Sequence, residues 1–351
     1  MHFAFTDQQV EFRHAVRQVL ANECSTDDLR SSFDAPSARG SRWETLTELG
    51  VVGLTVPERH GGLGLGLVDL VLLLEEAGRV ALPEPLVETT ALAAPLLAEV
   101  GDAESSASPL VSAWLEGIAA GRAAAAVGTM SAGPVAIAGA DGADLLVLFT
   151  DGDDGRGEVH VVGSDQVTVT PVASLDPTRR LGSLRWTPTT DTCVIAGPAA
   201  GAVIRRTGDR AAVATAAELL GLADRMIVLA ADYARERHQF GKPIGSFQAV
   251  KHLLAGAQVK LEFARPVVYA AAWSLDEGEP DATRAASVAK ACASDAASEA
   301  ARVSLQVHGA LGYTWECDLH LFLKRAWALA AAWGSAADHR ARVLDSLVAR
   351  A

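Results

Sequence analysis

"RERHQFGKPIGSFQAVKH", residues 235–252, separates two long runs of helical periodicity. Upstream of it, Val213, Ala216, Leu220, Ala223, Ile227 and Ala230 recur at the spacing of one helix face. Gly241-Lys242-Pro243 then breaks the pattern, and a second helix follows, with Ser246 as its expected cap. The connector nevertheless holds Arg237, Gln239, Phe240, Lys242, Phe247 and Gln248 in close succession. Cations and amides set beside two aromatics exceed what a turn needs. Read alone, the stretch is compatible with a plain interhelical connector or with a ligand-holding turn.

Outward from this stretch the chain changes texture twice, which predicts three regions: 1–124, 125–207 and 208–351. The first is helical. Thr6 is a candidate cap for "DQQVEFRHAVRQVLANE", "WETLTELG" closes at Gly50, and "VDLVLLLEEAGR" is a further helix. The second reads as a small sheet domain of short β-rich runs, "DLLVLFT", "GEVHVVG", "QVTVTPVA" and "CVIAG", with "DGDDGRG" as a hairpin loop. The third is a helical bundle. Its second helix carries Pro266, expected to kink or interrupt it, and an Ala-rich third helix ends near Gly309. A last helix starts from about Asp318. The expected class is mainly α with a small β-domain.

At 351 residues with half of them hydrophobic, the chain can bury a substantial core. Its formal net charge of -13 argues against a nucleic-acid partner, although a local pocket could still hold an anionic metabolite. Cys24, Cys193, Cys292 and Cys317 are scattered, so neither a zinc site nor a disulfide framework is expected. The start "MHFAFTDQQVEFRHAV" lacks the basic head and apolar run of a signal peptide, and no apolar stretch is long enough to span a membrane. A cytoplasmic location is expected.

Several tempting features read better as structure. "GGLGLG" at 61–66 follows no strand and precedes no Lys-Ser/Thr pair, so a turn before the next helix outweighs a phosphate loop. His308 has no nearby cluster of metal-ligating residues, and packing or capping outweighs a ligand or base role. Trp327 and Trp333 lie near one helical face and are expected in the core.

Read with its context, residues 235–252 resemble the Arg-x-x-Phe-Gly-x-x-Ile-x-x-x-Gln segment of acyl-CoA dehydrogenases. "QVHGALGYTWECDLHLFLKR" resembles that family's Gln-x-x-Gly-Gly-x-Gly-Tyr-x-x-Glu segment, and "ELGVVGLTVPERHGGLGLGLVDLVLLLEEAGR" its N-terminal turn and helix. Together the similarity spans most of residues 5–340. It implies an N-terminal helical domain, a middle β-domain and a C-terminal four-helix bundle, assembled as a tetramer. It also implies that the connector reaches across a dimer interface to the ADP part of FAD held by the adjacent subunit. Carried over by position, Arg237, Gln239, Phe240, Phe247 and Gln248 are the first set of FAD-binding candidates, and Gln306, Val307, His308, Gly309 and Ala310 the second. Ala310 stands where the family has its second Gly. A guanidinium suits pyrophosphate because it donates forked, charge-assisted hydrogen bonds.

The resemblance fails where the family does its chemistry. Those enzymes remove a proton from the acyl α-carbon with a carboxylate while the flavin takes hydride from the β-carbon. Aligned without gaps, the usual Glu-Gly-Thr turn falls on Trp333-Gly334-Ser335, and indole is no base. The alternative position in some relatives falls on Ala211 or Ala212, leaving Asp209 and Glu218 as the nearest acids and the weak candidates for a relocated base. The family's Thr-Glu-Pro…Gly-Ser-Asp and Trp-Ile-(Thr/Ser)-Asn stretches, which hold the flavin ring, are missing from "AVGTMSAGPVAIAGADGADLL"; only "SLDPTRRLG" resembles the later part of that domain. The side that serves a neighbour's FAD is kept while the ring side is eroded. That pattern resembles the degenerate partner in actinobacterial α2β2 acyl-CoA dehydrogenases, some of which act in steroid side-chain breakdown. The implied role is to complete the FAD site of a second, catalytic acyl-CoA dehydrogenase-type subunit acting on an acyl-CoA, with electron-transferring flavoprotein as the family's usual acceptor. Two rivals stand beside it: a self-sufficient homotetrameric dehydrogenase using Asp209 or Glu218, and a flavin-free scaffold or acyl-CoA binding protein.

Overall fold

The computed structural model of the protein describes residues 4–34, 40–103, 108–130, 135–150 and 157–349. They are mainly helical with a small sheet region, as the sequence textures predict. Helices α1 (Asp7–Glu23), α2 (Thr26–Asp34), α3 (Ser41–Glu48) and α4 (Leu67–Arg79) come first. Thr6 caps α1 as expected, and Gln9 completes a capping box. Gly50, at φ +78°, takes the left-handed conformation that stops α3. A π-helical turn, Val87–Ala93, runs into α5 (Ala94–Ala103), and α6 (Ser108–Ala119) follows.

Strands β1 (Ala125–Met130), β2 (Ala136–Ile137), β3 (Leu145–Thr150), β4 (Gly157–Gly163), β5 (Thr168–Pro171), β6 (Gly182–Arg185) and β7 (Cys193–Gly197) come next. They form two sheets, β1-β3-β4-β7 and β2-β6-β5. β1 pairs parallel to β3, from Ala125 opposite Leu145 to Met130 opposite Thr150. The β3–β4 pair is the predicted hairpin, with Thr150 opposite Glu158; residues 151–156 of its expected loop lie outside the described residues. Then come α7 (Pro198–Glu236), the paired two-residue strands β8 (His238–Gln239) and β9 (Lys242–Pro243), α8 (Gln248–Asp276), α9 (Ala282–His308), α10 (Leu319–Ala331) and α11 (Ala336–Val348).

Three local expectations need correction. α7 starts at Pro198, ahead of the change of texture near 208, because "PAAGAVIRRTGD" is apolar at helical spacing once its strand-like neighbour ends at Gly197. Ser246 does not cap α8: its hydroxyl donates to the carbonyl of Pro243 at 2.7 Å inside a 3-10 turn, and Phe247 occupies the cap without a side-chain bond. Pro266 does not interrupt α8, which runs through it. The ring lies on the exposed face, where water can satisfy the carbonyl one turn back, while Ala264, Val268 and Ala271 hold the opposite face in the core.

By packing, the chain forms two compact units, Met1–Arg30 with Val71–Leu82 and Ala212–Ala351, and Ser31–Leu70 with Pro83–Ala211. In the first, α9 buries alanines at 286, 289, 293, 296, 297 and 300. Small side chains let α8, α10 and α11 pack closely around it. α4 and α7 touch at glycines. A Cβ on Gly221 would lie 1.9 Å from the Glu75 carbonyl oxygen, and one on Gly78 would lie 2.1 Å from that of Glu218. Beside this crossing, buried Glu76 accepts from Arg13 Nε at 2.6 Å and from Arg17 at 2.6 and 2.7 Å. Buried Glu75 accepts from Arg265 Nε at 3.0 Å and from the Tyr269 hydroxyl. Burial pushes the Glu76 carboxyl up, but the hydrogen bonds from Arg17 and Arg13 outweigh it and hold the group below its ordinary 4.5.

In the second unit, Ala126, Ile137, Leu146, Leu148 and Val162 build the sheet core, with Trp186 and Leu184 packed at its edge. "GGLGLG" is a folded turn, as expected: a Cβ on Gly62 would meet the Val56 carbonyl at 2.1 Å, so it is tight backbone packing rather than a cradle.

Candidate cofactor-binding site

The decisive connector is a hairpin. Arg237 follows the last turn of α7, its N–H still donating to the Tyr233 carbonyl at 2.8 Å. His238 then pairs with Pro243 and Gln239 with Lys242, and the Ile244 N–H closes the base by donating to the Arg237 carbonyl at 2.8 Å. Phe240 and Gly241 form the tip with φ of +51° and +79°. Positive φ at both central residues is what the tight type I′ turn requires; glycine takes it freely, phenylalanine does not.

That backbone holds Phe240 91% exposed, with its ring edge-on to Phe247 at 6.1 Å. Lys242 Nζ sits 4.4 Å over the Phe247 ring. Arg237, Gln239 and Gln248 are exposed, and among the described residues their side chains have no hydrogen-bond or ion-pair partner. A forked cation, two amides and an aromatic face thus stand ready for a ligand outside the chain's own fold. Their donor chemistry fits the phosphates and ring of a dinucleotide.

The second candidate segment ends α9 beside the first. His308 is buried, donates from Nδ1 to the Ser304 carbonyl at 2.8 Å, and stacks on Tyr233 with ring centres 4.5 Å apart. Burial pushes its pKa below the ordinary 6.5, against a smaller opposing effect of the Ser304 hydrogen bond, so the ring stays neutral near pH 7. His308 therefore positions: it ties the end of α9 to the turn of α7 that launches the hairpin. Val307 is buried with it, whereas Gln306, Gly309 and Ala310 are exposed just beyond. Gly309 takes φ +60° and ψ -137°, a conformation closed to most side chains. Tyr233 carries this juxtaposition and was missed in the sequence. Its position four residues before Arg237, at the same face of α7, was the available signal.

The expected base position lies in a separate turn between α10 and α11. Trp333 is half-buried with φ +56°, and its carbonyl accepts from His339 Nε2 at 2.9 Å. Fully buried Lys290 donates to the carbonyls of Ala330 and Gly334, each at 3.1 Å, fixing the turn from beneath. The turn is thus built and held, but it presents indole. The expectation that Trp327 and Trp333 are core is corrected: Trp327 is 44% exposed, and Trp333 left its helical face when α10 ended at Ala331. Asp209 and Glu218 are both buried, and each is engaged by neighbouring groups. Another grouping invisible in sequence spacing is Glu158, His160 and Cys193, whose potential donor atoms lie within 4.8 Å of one another across β4 and β7. His160 is already committed there, to Thr192 at 3.0 Å and Glu158 at 3.1 Å.

This architecture and these segments define a known class. Residues 6–122 match the acyl-CoA dehydrogenase N-terminal domain and residues 201–348 the acyl-CoA dehydrogenase C-terminal domain. The chain belongs to the acyl-CoA dehydrogenase family, a family of flavin-dependent oxidoreductases. Among its relatives, the acyl-CoA dehydrogenase IpdE2 of Mycobacterium tuberculosis is 36% identical over 324 residues, 91% of each chain. Two solved structures share the fold. The ChsE4–ChsE5 complex from Mycobacterium tuberculosis superposes with a TM-score of 0.86 at 24% identity, covering 99% of each chain. A variant of the Tcur3481–Tcur3483 steroid ACAD gives 0.84 at 25% identity, covering 97% of this chain and 98% of that one. No helix among the described residues is long and apolar enough to cross a membrane.

Proposed function

We propose that this chain is the non-catalytic subunit of a heteromeric, FAD-dependent acyl-CoA dehydrogenase, and that it completes the FAD site of a catalytic partner in trans. The observation that carries the reading is the hairpin: Arg237, Gln239 and Gln248 without side-chain partners among the described residues, beside a Phe240 turned out to 91% exposure. When bound, FAD accepts hydride from the acyl β-carbon. Arg237 would hold its pyrophosphate, Gln239 and Gln248 would hydrogen-bond alongside, and Phe240 and Phe247 would pack against its flat surfaces. Gln306, Gly309 and Ala310 would approach it from the end of α9, with Val307 and His308 fixing that segment.

The same reading leaves the proton abstraction to the partner. Trp333 occupies the base position, and Asp209 and Glu218 are buried and engaged. Two similar structures bear paired names, one described as a complex and the other as a steroid ACAD, which supports an α2β2 arrangement and a steroid-type acyl group. We infer a cytoplasmic enzyme, with electron-transferring flavoprotein as the acceptor.

Flavin stoichiometry tests the proposal, measured on the chain alone and after co-expression with a second acyl-CoA dehydrogenase-type subunit. The expected result is little FAD alone and about one per pair of unlike chains in the complex. One FAD per chain alone, with turnover, would establish a self-sufficient enzyme instead. Absence of flavin from both samples would leave a scaffold or acyl-CoA binding protein.

A further inference from the structure

A cleft of about 490 Å³ opens among α1, α2, α4, α7 and α10, all within the first packing unit. Its charged wall carries Arg17, Arg79, Arg225 and a single carboxylate, Glu76. The chain as a whole is acidic at -13, so this is a local inversion of sign. Arg17 is satisfied by its two hydrogen bonds to Glu76, and Arg79 by its ion pair with Asp224. Arg225 is left over. It is half-buried and has no carboxylate or hydrogen-bond partner among the described residues, only the Phe322 ring 5.7 Å from its guanidinium carbon.

A guanidinium carries five donors and cannot shed its charge, so at the wall of this cleft Arg225 offers donors free for an oxyanion that enters. The cleft's other wall is apolar: Leu20, Leu29, Val80 and Phe322. Ser25 and Thr26, at the first turn of α2, line the mouth. The site is also distinct from the hairpin. Arg225 precedes Arg237 by twelve residues of α7, about 18 Å along the axis.

We propose that this cleft binds a small-molecule oxyanion, a carboxylate or phosphate head on Arg225 with an apolar body against Leu20, Leu29, Val80 and Phe322. Burial lowers the pKa of Arg79, and repulsion from Arg17 and Arg225 lowers it further, so an anion arriving there also relieves mutual repulsion among the three cations. Arg225 is the selective contact, since its neighbours are already paired.

Calorimetric titration of the intact chain at low ionic strength tests this, with inorganic phosphate and hexanoate as separate probes. The expected result is one saturable site per chain, weakened about tenfold or more by Arg225→Gln. Arg225→Lys should restore part of the affinity, because it keeps the charge and loses the fork. Binding of phosphate alone would assign a phosphate ester; binding of hexanoate alone would assign a carboxylate with an apolar tail. Saturable binding that Arg225→Gln leaves unchanged would overturn the proposal, as would no saturation by either probe at millimolar concentration. Near-ultraviolet circular dichroism of both variants separates lost binding from lost fold.

Discussion

Replacing Arg237 by alanine removes an exposed guanidinium that has no hydrogen-bond or ion-pair partner among the described residues. Fold stability should therefore change by no more than about 0.5 kcal/mol, as for other surface substitutions. FAD retained by the assembled complex at limiting FAD should fall well below wild type. Equal flavin content in the two complexes would count against the trans role. Glu76 behaves in the opposite sense. It is buried and accepts from two arginines, so Glu76→Gln should cost about 3 kcal/mol in urea unfolding at neutral pH, with no direct effect on flavin. Its pH dependence follows from the depressed carboxyl. The stabilisation is fully present above the ordinary 4.5 and is lost as pH falls through the lower folded value. The gap between wild type and Glu76→Gln should therefore narrow on acidification.

At the scale of elements, the α4–α7 crossing makes the sharpest prediction. Glycine to alanine inside a helix ordinarily stabilises by about 1 kcal/mol. Gly221→Ala should instead destabilise by about 3 kcal/mol, because the new Cβ would lie 1.9 Å from the Glu75 carbonyl oxygen. A mutant with unchanged or raised denaturation midpoint would refute that close approach. Such contacts mark the limit of what a sequence discloses. α1 with its Thr6 cap, α4, β3, β4 and β7 are written in local periodicity and capping; a break near Gly241 was legible too, but not the hairpin that turns at Phe240-Gly241 rather than at Gly241-Lys242-Pro243. Ser246 lost its cap role to a hydrogen bond inside its own 3-10 turn, and Pro266 is tolerated because it stands on the exposed face of α8. Short strands such as β2 and β6 have too few residues to show a period, and the Tyr233–His308 stack joins residues far apart in sequence. Within the candidate site, the residue types were legible. Their division into exposed donors and a buried positioning pair was not, because burial is decided by tertiary contacts.

At the scale of the molecule, the turn that holds Trp333 and the Arg237 hairpin have separate fates. Trp333→Glu alone should yield no acyl-CoA dehydrogenation by the isolated chain, assayed with a dye acceptor and saturating FAD, because the sequence also lacks the family's flavin-ring stretches. Appearance of turnover in that variant would make the chain a dormant enzyme rather than a partner. The tip of the hairpin has a consequence for anyone engineering the protein. Phe240 is held at φ +51°, a conformation that costs a non-glycine residue about 1 kcal/mol, while its ring, 91% exposed, makes only an edge-on contact with Phe247. A directed-evolution campaign scored only on heat tolerance would favour Phe240→Gly early. On the proposed function it would report progress while discarding the aromatic surface offered to a partner's cofactor, so such a screen needs the assembled, flavin-loaded complex as its readout.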